Sequence, residues 1–169
     1  SDDLSDEQKE AVTGCIKNQL SIINGGPGTG KTSYVLKKLC NILMDNNKNI
    51  LVLAPTHAAK TNAKKDILGI SDVDDVDDVD DNENITFETL QSVIYPYKDN
   101  SNQFRCKLGT YINKYDYIII DEMSMVDSKN FNKFLDVIVN SGCSIVLVGD
   151  YNQLPPISPG NPFKDMIKS

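Results

Sequence analysis

The chain has 169 residues, 40% of them hydrophobic, and a net charge of −7, which fits one globular domain with a sizeable core. No apolar run approaches the roughly 20 residues that span a bilayer, and no signal-peptide pattern opens the chain, so we expect no membrane segment. Cys15, Cys40, Cys106 and Cys143 lack the paired spacing of a zinc site, which favours reduced thiols in an intracellular (cytoplasmic or nuclear) protein.

The first predicted element is a helix that begins near Ser5. Ser5 is a favourable N-cap residue and Gln8 follows three positions later, which is the spacing of a capping box. Apolar residues from Val12 to Leu20 keep a roughly helical spacing.

Residues 21–32 are the most informative stretch of the chain. Gly25, Gly30, Lys31 and Thr32 match the spacing Gly-x-x-x-x-Gly-Lys-Thr of a phosphate-binding loop. Glycines let successive N–H groups face phosphate oxygens, Lys31 supplies charge for the β- and γ-phosphates, and the Thr32 hydroxyl can ligate Mg²⁺. A predicted strand before the loop and a helix over 33–43 disfavour a chance glycine-rich turn. The predicted nucleotide-binding residues here are Gly25, Gly26, Pro27, Gly28, Thr29, Gly30, Lys31 and Thr32.

Residues 50–54 form a continuous apolar run that is typical of a buried parallel strand. Pro55, Thr56 and His57 follow at its carboxyl end, where open α/β sheets bind ligands. A helix is predicted over 58–68, with His57 in the preceding loop. The simpler alternative is that this histidine, the only one in the chain, is inert.

An acidic run occupies residues 71–84 and repeats Val-Asp-Asp three times. It has little to bury, which predicts a disordered loop. A calcium loop is the alternative, but the run lacks the glycine that an EF-hand needs at position six. Eight of the 24 acidic residues lie in this run, so the rest of the chain, with 16 acids against 17 Lys plus Arg, is close to neutral and compatible with nucleic acid.

The segment from 85 to 107 predicts a short strand over 85–87, a helical turn or two over 88–94, and a β-hairpin over 95–107. The hairpin rests on two short runs that flank an Asp/Asn/Ser cluster at 99–102.

A second buried strand over 117–120 delivers Asp121 and Glu122 at its carboxyl end. Such carboxylates often cap a helix or lie in solvent. Beside a phosphate loop, however, Asp121 is suited to hold Mg²⁺ and Glu122 to polarise an attacking water. A helix follows, and the last strand, 144–148, leads into a polar turn closed by prolines. The apolar residues predicted to face inward on that helix are Phe131, Phe134, Leu135 and Ile138.

Taken in order, these segments resemble the first nucleotide-binding domain of superfamily 1 helicases, in the RecD-like, 5′→3′ branch. The resemblance is carried by Leu4 to Gln8, Gly25 to Thr32, Ala54-Pro55-Thr56-His57-Ala58-Ala59, Asp121-Glu122-Met123-Ser124, Gly149-Asp150-Tyr151-Asn152-Gln153-Leu154-Pro155, and Pro159-Gly160-Asn161-Pro162-Phe163.

The resemblance implies an α/β P-loop domain of RecA-like type over 1–169, with a mainly parallel central sheet flanked by helices. It implies ATP and Mg²⁺ as cofactors, with Gln8 reading the adenine edge as an alternative to completing the cap. It places Gln153 near the γ-phosphate. The implied catalytic set is Lys31, Asp121, Glu122 and Gln153, and Thr32 and Asp121 are the implied metal ligands.

The resemblance also implies a track for single-stranded DNA. Its predicted contacts are Pro55, Thr56, His57, Thr89, Gln91 and Ser92, although the branch often has histidine where this chain has Gln91. The hairpin lies where the family inserts a strand-separating pin. A second RecA-like domain is expected as the partner in a longer helicase. Two alternatives stay open: an RNA-directed helicase, and a nucleotide-binding regulatory module without motor activity.

Overall fold

The computed structural model describes residues 4–17, 19–24, 31–70, 84–138 and 141–150. The predictions for Gly25 to Gly30, for the acidic run and for Gln153 lie outside these residues. For Lys31 the structure describes the backbone.

A parallel sheet of five strands forms the centre of the domain, in the order β1-β7-β6-β2-β3. A separate antiparallel hairpin pairs β4 with β5. The parallel pairing of the five central strands confirms the predicted mainly parallel sheet. The strands are β1 (Leu20–Asn24), β2 (Ile50–Ala54), β3 (Ile85–Thr89), β4 (Pro96–Lys98), β5 (Phe104–Cys106), β6 (Tyr117–Ile120) and β7 (Ser144–Gly149).

Helices cover both faces of this sheet. Side chains alternate along a strand, so Ile119 joins the core on one face while Ile118 joins the core on the other. The interior strands β2 and β6 are buried along their whole length, which explains their continuous apolar sequences. One face packs against α1 (Asp6–Lys17), α2 (Lys31–Asp45) and α3 (His57–Leu68), and the other against α4 (Leu90–Ile94), α5 (Lys107–Tyr111) and α6 (Ser128–Ile138).

The predicted capping box at the start of α1 is confirmed. The Ser5 backbone N–H donates to Gln8 Oε1 at 2.9 Å, and the Gln8 N–H donates to Ser5 Oγ at 3.2 Å. Two donors that the first turn would leave unpaired are thereby satisfied.

Three local predictions were wrong, and one helix was missed. His57 is the first residue of α3 and not part of a loop, because the preceding threonine caps the helix. Residues 88 and 89 belong to β3, because pairing with β2 extends to Thr89 opposite Ala54. Leu135 is 39% exposed, since Phe131, Phe134 and Ile138 alone form the buried stripe of α6. The helix α5 was not predicted at all.

The predicted hairpin is confirmed, with shorter strands than expected. Asp99 organises its tip: Oδ1 accepts the N–H groups of Ser101 at 2.8 Å and Gln103 at 3.0 Å, and Oδ2 accepts from Arg105 Nε. Asn102 takes the left-handed conformation, φ 62°, that closes the turn. These bonds hold the pKa of Asp99 below its usual value, the Gln103 N–H having the largest effect.

All four cysteines are free thiols, as predicted, and three of them are buried. Among the described helices, none is both long enough and apolar enough to cross a membrane.

Candidate functional site

The predicted nucleotide and nucleic-acid segments meet at one edge of the sheet. Strands β1, β2, β3, β6 and β7 are all parallel, so their carboxyl ends lie on the same side. Residues 25–30 follow β1, Thr56 follows β2, Thr89 ends β3, and Asp121 follows β6. This is the edge where open α/β sheets bind ligands.

Asp121 is fixed by two hydrogen bonds. Its N–H donates to the Leu53 carbonyl at 2.8 Å, and its Oδ1 accepts the Glu122 N–H at 2.9 Å. The pKa of Asp121 is raised to about 6, mainly by burial; the Glu122 N–H opposes this shift, and the charges of Glu122 and Asp66 add to it. A carboxylate that is costly to charge by itself is well suited to a cation that offsets its charge.

Glu122 takes a backbone conformation that is unusual for a residue with a side chain. Its φ of 53° and ψ of 43° are left-handed, which costs of order 1 kcal/mol for a non-glycine residue. The chain thereby turns sharply into a 3₁₀ turn at Met123–Met125, and the Met125 N–H donates to the Glu122 carbonyl at 2.9 Å. Met123 is fully buried while Glu122 stays exposed at the sheet edge.

Gly149, the last residue of β7, packs directly on this turn. A Cβ at this position would lie 3.2 Å from Met123 N and 3.3 Å from Ser124 N. Glycine permits this approach without any movement of the turn, whereas a side chain would require a shift of a few tenths of an ångström. In the sequence, Gly149 stands out only as the first residue of a longer motif. Its support of the turn after Glu122 has no signal in the sequence.

The helix α2 begins at the end of the predicted phosphate loop. Lys31 and Thr32 are its first two residues, and Thr32 is partly buried. Cys40, fully buried on the same helix, has its pKa raised to about 12, first by burial and then by the charge of Asp121. The charge of Asp121 thus acts on a buried side chain of α2. The N-terminus of α2 follows residues 25–30 in sequence, and a helix N-terminus favours anions.

Gln8 uses its side-chain oxygen in the capping box of α1. This supports the cap interpretation. A bond from its amide nitrogen to an adenine remains a prediction.

The predicted track residues after β2 form the N-terminus of α3. Thr56 is extended and its Oγ1 accepts the Ala59 N–H at 3.1 Å. A hydroxyl that accepts from the backbone still carries its own proton, which it can donate to a phosphate oxygen. His57 is exposed beside it, and Pro55 is partly buried.

The track residues after β3 repeat this arrangement on a shorter helix. Thr89 Oγ1 accepts the Ser92 N–H at 3.4 Å, and Ser92 Oγ donates to the Thr89 carbonyl at 2.8 Å. Gln91 is exposed. Glu88, one residue earlier, accepts from Lys107 Nζ at 3.0 Å, which ties β3 to the end of the hairpin. No sequence pattern indicates this ion pair, because its partners are 19 positions apart.

A strand, a glycine-rich loop, a helix, and a carboxylate pair that follows another strand of the same sheet define the class of P-loop nucleotide-binding domains. Residues 3–169 match the AAA domain family, and the chain belongs to that family.

Among individual proteins, the chain is similar in sequence to DNA helicases. The chain is 32% identical over 157 residues to the RecBCD enzyme subunit RecD of Buchnera aphidicola subsp. Acyrthosiphon pisum, covering 91% of this chain and 26% of that protein. It is 30% identical over 164 residues to the ATP-dependent DNA helicase dda of Enterobacteria phage T4, covering 94% of this chain and 34% of that protein. The resemblance to RecD-like helicases is thereby confirmed.

The fold is shared with a solved helicase. Unliganded Pif1 from Bacteroides sp. superposes with a TM-score of 0.54 at 22% identity, covering 98% of this chain and 35% of that one. The chain thus spans about a quarter to a third of the length of these three relatives.

Proposed function

We propose that this chain is the nucleotide-binding motor domain of an ATP-dependent DNA helicase that translocates 5′→3′ on single-stranded DNA. The observation that carries the proposal is the shared sheet edge. Four features lie at the carboxyl ends of parallel strands. The acidic pair follows β6, α2 follows β1, the capping residue Thr56 follows β2, and the capping residue Thr89 ends β3. A change at the nucleotide-binding residues can therefore reach the nucleic-acid-binding residues through the ends of strands in the same sheet.

Each residue of the nucleotide site has a distinct role in this proposal. Lys31 pairs with the β- and γ-phosphates, and Thr32 and Asp121 hold Mg²⁺, which neutralises charge on the phosphates. The raised pKa of Asp121 fits that ion. Glu122 accepts a proton from the attacking water, and Gln153 senses the γ-phosphate.

The nucleic-acid track is proposed along the N-termini of α3 and α4. Thr56 and Thr89 offer hydroxyl protons, and the exposed His57, Gln91 and Ser92 side chains extend the contact surface. Such contacts reach backbone phosphates and carry little sequence information.

The remaining parts of the motor are also proposals. The hairpin over 95–107 serves as the strand-separating pin, with Phe104 or Tyr97 as the residue that meets the base pair. A second RecA-like domain of the parent chain completes the track and supplies an arginine finger, a group commonly worth about 10³–10⁵ in rate. A role on DNA places the protein inside the cell.

Two alternatives make different predictions. An RNA-directed helicase would use the same backbone contacts, so its ATPase would be stimulated by RNA and not by DNA. A regulatory nucleotide-binding module would bind ATP and need neither a base nor a γ-phosphate sensor, so Glu122 argues against it.

The test is ATP hydrolysis by the full-length protein, measured alone, with single-stranded DNA and with single-stranded RNA of the same sequence. We expect stimulation by DNA. Glu122→Gln should retain Mg-ATP binding and lose about 10²–10⁴ in turnover, because an amide cannot accept the proton. Glu10→Gln, the same change on the exposed surface of α1, is the matched control and should leave turnover unchanged.

Wild-type turnover in Glu122→Gln would show that the base lies elsewhere. Stimulation by RNA alone would favour the first alternative, and nucleotide binding without turnover in the wild type would favour the second.

A further inference from the structure

The hairpin of β4 and β5 has little packing of its own. Its two strands pair over three positions, from Pro96 opposite Cys106 to Lys98 opposite Phe104. All residues of β4 are exposed, and in β5 only Cys106 is partly buried. A two-stranded hairpin is marginally stable in water without packing against other elements. The orientation of this hairpin is therefore set where its strands join the rest of the domain.

The strands of the hairpin join two short helices that pack together. One residue separates the end of α4 from β4, and β5 leads directly into α5. Leu108 of α5 is fully buried in the same core as Val93 of α4. The helix α4 also carries Gln91 and Ser92, two of the proposed track residues. The hairpin and this part of the track thus belong to one structural unit.

Glu88, near the end of β3, contacts both parts of this unit through its carboxylate. Its Oε1 accepts from the Nζ of Lys107, the residue that follows β5 and that we call the root of the hairpin, at 3.0 Å. Its Oε2 accepts from Ser92 Oγ at 3.4 Å, and the same hydroxyl donates to the Thr89 carbonyl at 2.8 Å. One side chain therefore links the root of the hairpin to the start of α4.

The charge of Glu88 is unusual for its position. The side chain is 25% exposed and lies beside residues that are proposed to contact phosphates. An unpaired carboxylate at this place would repel a nucleic-acid backbone, because like charges that are brought together cost free energy. Lys107 offsets this charge. The same ion pair holds the root of the hairpin against β3, so a single contact makes Glu88 compatible with DNA and anchors the hairpin.

We infer that Glu88 is a positioning residue, which through Lys107 fixes the hairpin relative to the DNA strand held along the track. The inference rests on the proposed helicase function, in which the hairpin is the strand-separating pin. An element of this kind works only if the residues around it hold its position. When the ion pair is broken, ATP hydrolysis on single-stranded DNA continues, while fewer base pairs are opened for each ATP.

The test is unwinding of a duplex with a 5′ single-stranded tail by the full-length protein, with ATP hydrolysis followed in the same reaction. The readout is the number of base pairs opened per ATP hydrolysed. Glu88→Lys and Lys107→Glu each place two like charges at the root of the hairpin. Each should lower this number roughly threefold or more, because an exposed ion pair is commonly worth up to about fivefold in an equilibrium constant and a like-charged pair adds repulsion.

The double variant Glu88→Lys/Lys107→Glu restores opposite charges with their positions exchanged. It should recover the wild-type number of base pairs per ATP to within about twofold, because the two substitutions act on one contact. Glu10→Lys and Lys114→Glu are the matched controls, since they make the same charge changes at exposed positions of α1 and of the turn before β6. Both controls should keep the wild-type number.

Three results would overturn the inference: single variants that open as many base pairs per ATP as the wild type, a double variant that stays as low as the single ones, or controls that fall equally. The first would show that the packing of α5 against α4 holds the hairpin by itself. A wild type whose ATP hydrolysis is not stimulated by single-stranded DNA would refute the helicase function. Stimulated hydrolysis without the expected pattern among the variants would refute the inference alone.

Discussion

Replacing Gly149 by alanine tests how far the acidic turn depends on the end of β7. The new methyl would lie 3.2 Å from Met123 N and 3.3 Å from Ser124 N, whereas ordinary contacts begin near 3.4 Å. The turn must therefore move by a few tenths of an ångström. Met123 is fully buried and has little room to move, so the displacement is passed to its neighbour Glu122. Overpacking of this kind costs about 1–3 kcal/mol.

Two measurements follow from this geometry. The free energy of unfolding of Gly149→Ala, from urea denaturation, should fall by about 1–3 kcal/mol. Its kcat for ATP should fall roughly tenfold with little change in nucleotide affinity, since a misplacement of 1 Å can cost about 100-fold. Gly142→Ala is the matched control, because a Cβ at Gly142 meets nothing within 4 Å. The reasoning is refuted if the two alanine variants behave alike in both assays.

Two further predictions concern pH. Because the pKa of Asp121 is raised to about 6, its folded form binds a proton more tightly than the unfolded chain, so stability falls as pH rises through about 6. In metal-free buffer at pH 7.5, the free energy of unfolding of Asp121→Asn should exceed that of the wild type by at most about 3 kcal/mol. At pH 4 this advantage should be absent. An equal difference at both pH values would contradict the raised pKa of Asp121. The pKa of Asp99 is lowered, so amide protection of Ser101 and Gln103 should be present above the usual Asp range and lost as pH falls through the lowered pKa. Asp99→Asn keeps the Oδ1 acceptor and should abolish this pH dependence of hydrogen exchange; protection that still titrates in the variant would point to another group.

Much of the fold could be predicted because its signals are local. Continuous apolar runs identify β2 and β6, since an interior strand of a parallel sheet is buried on both faces. The capping box of α1 and the turn residues of the hairpin act over three to five positions.

The errors arise where partners distant in sequence decide the outcome. Thr89 is a strand residue because Ala54 of β2 pairs with it. Leu135 is exposed because the position of α6 on the sheet, and not its own periodicity, selects the buried stripe.

In the candidate site, too, features with a local sequence signal were predicted, and features that depend on distant residues were not. The acidic pair was predicted from its position after an apolar run. The left-handed conformation of Glu122, the close approach of Gly149 and the Glu88–Lys107 ion pair depend on chain segments brought together by folding. None of these has a pattern in the sequence.

The strand order has a consequence for the biosynthesis of the protein. Among the described strands, β1 has β7 as its neighbour, so residues 20–24 pair with residues 145–149. During synthesis from the N-terminus, more than a hundred residues must therefore be added after β1 before its partner strand β7 exists. Contacts so distant in sequence form late, because a long loop must close first. The nascent chain thus completes the pairing of β1, the strand before the proposed phosphate-binding loop, only after β2, β3 and β6 have been made.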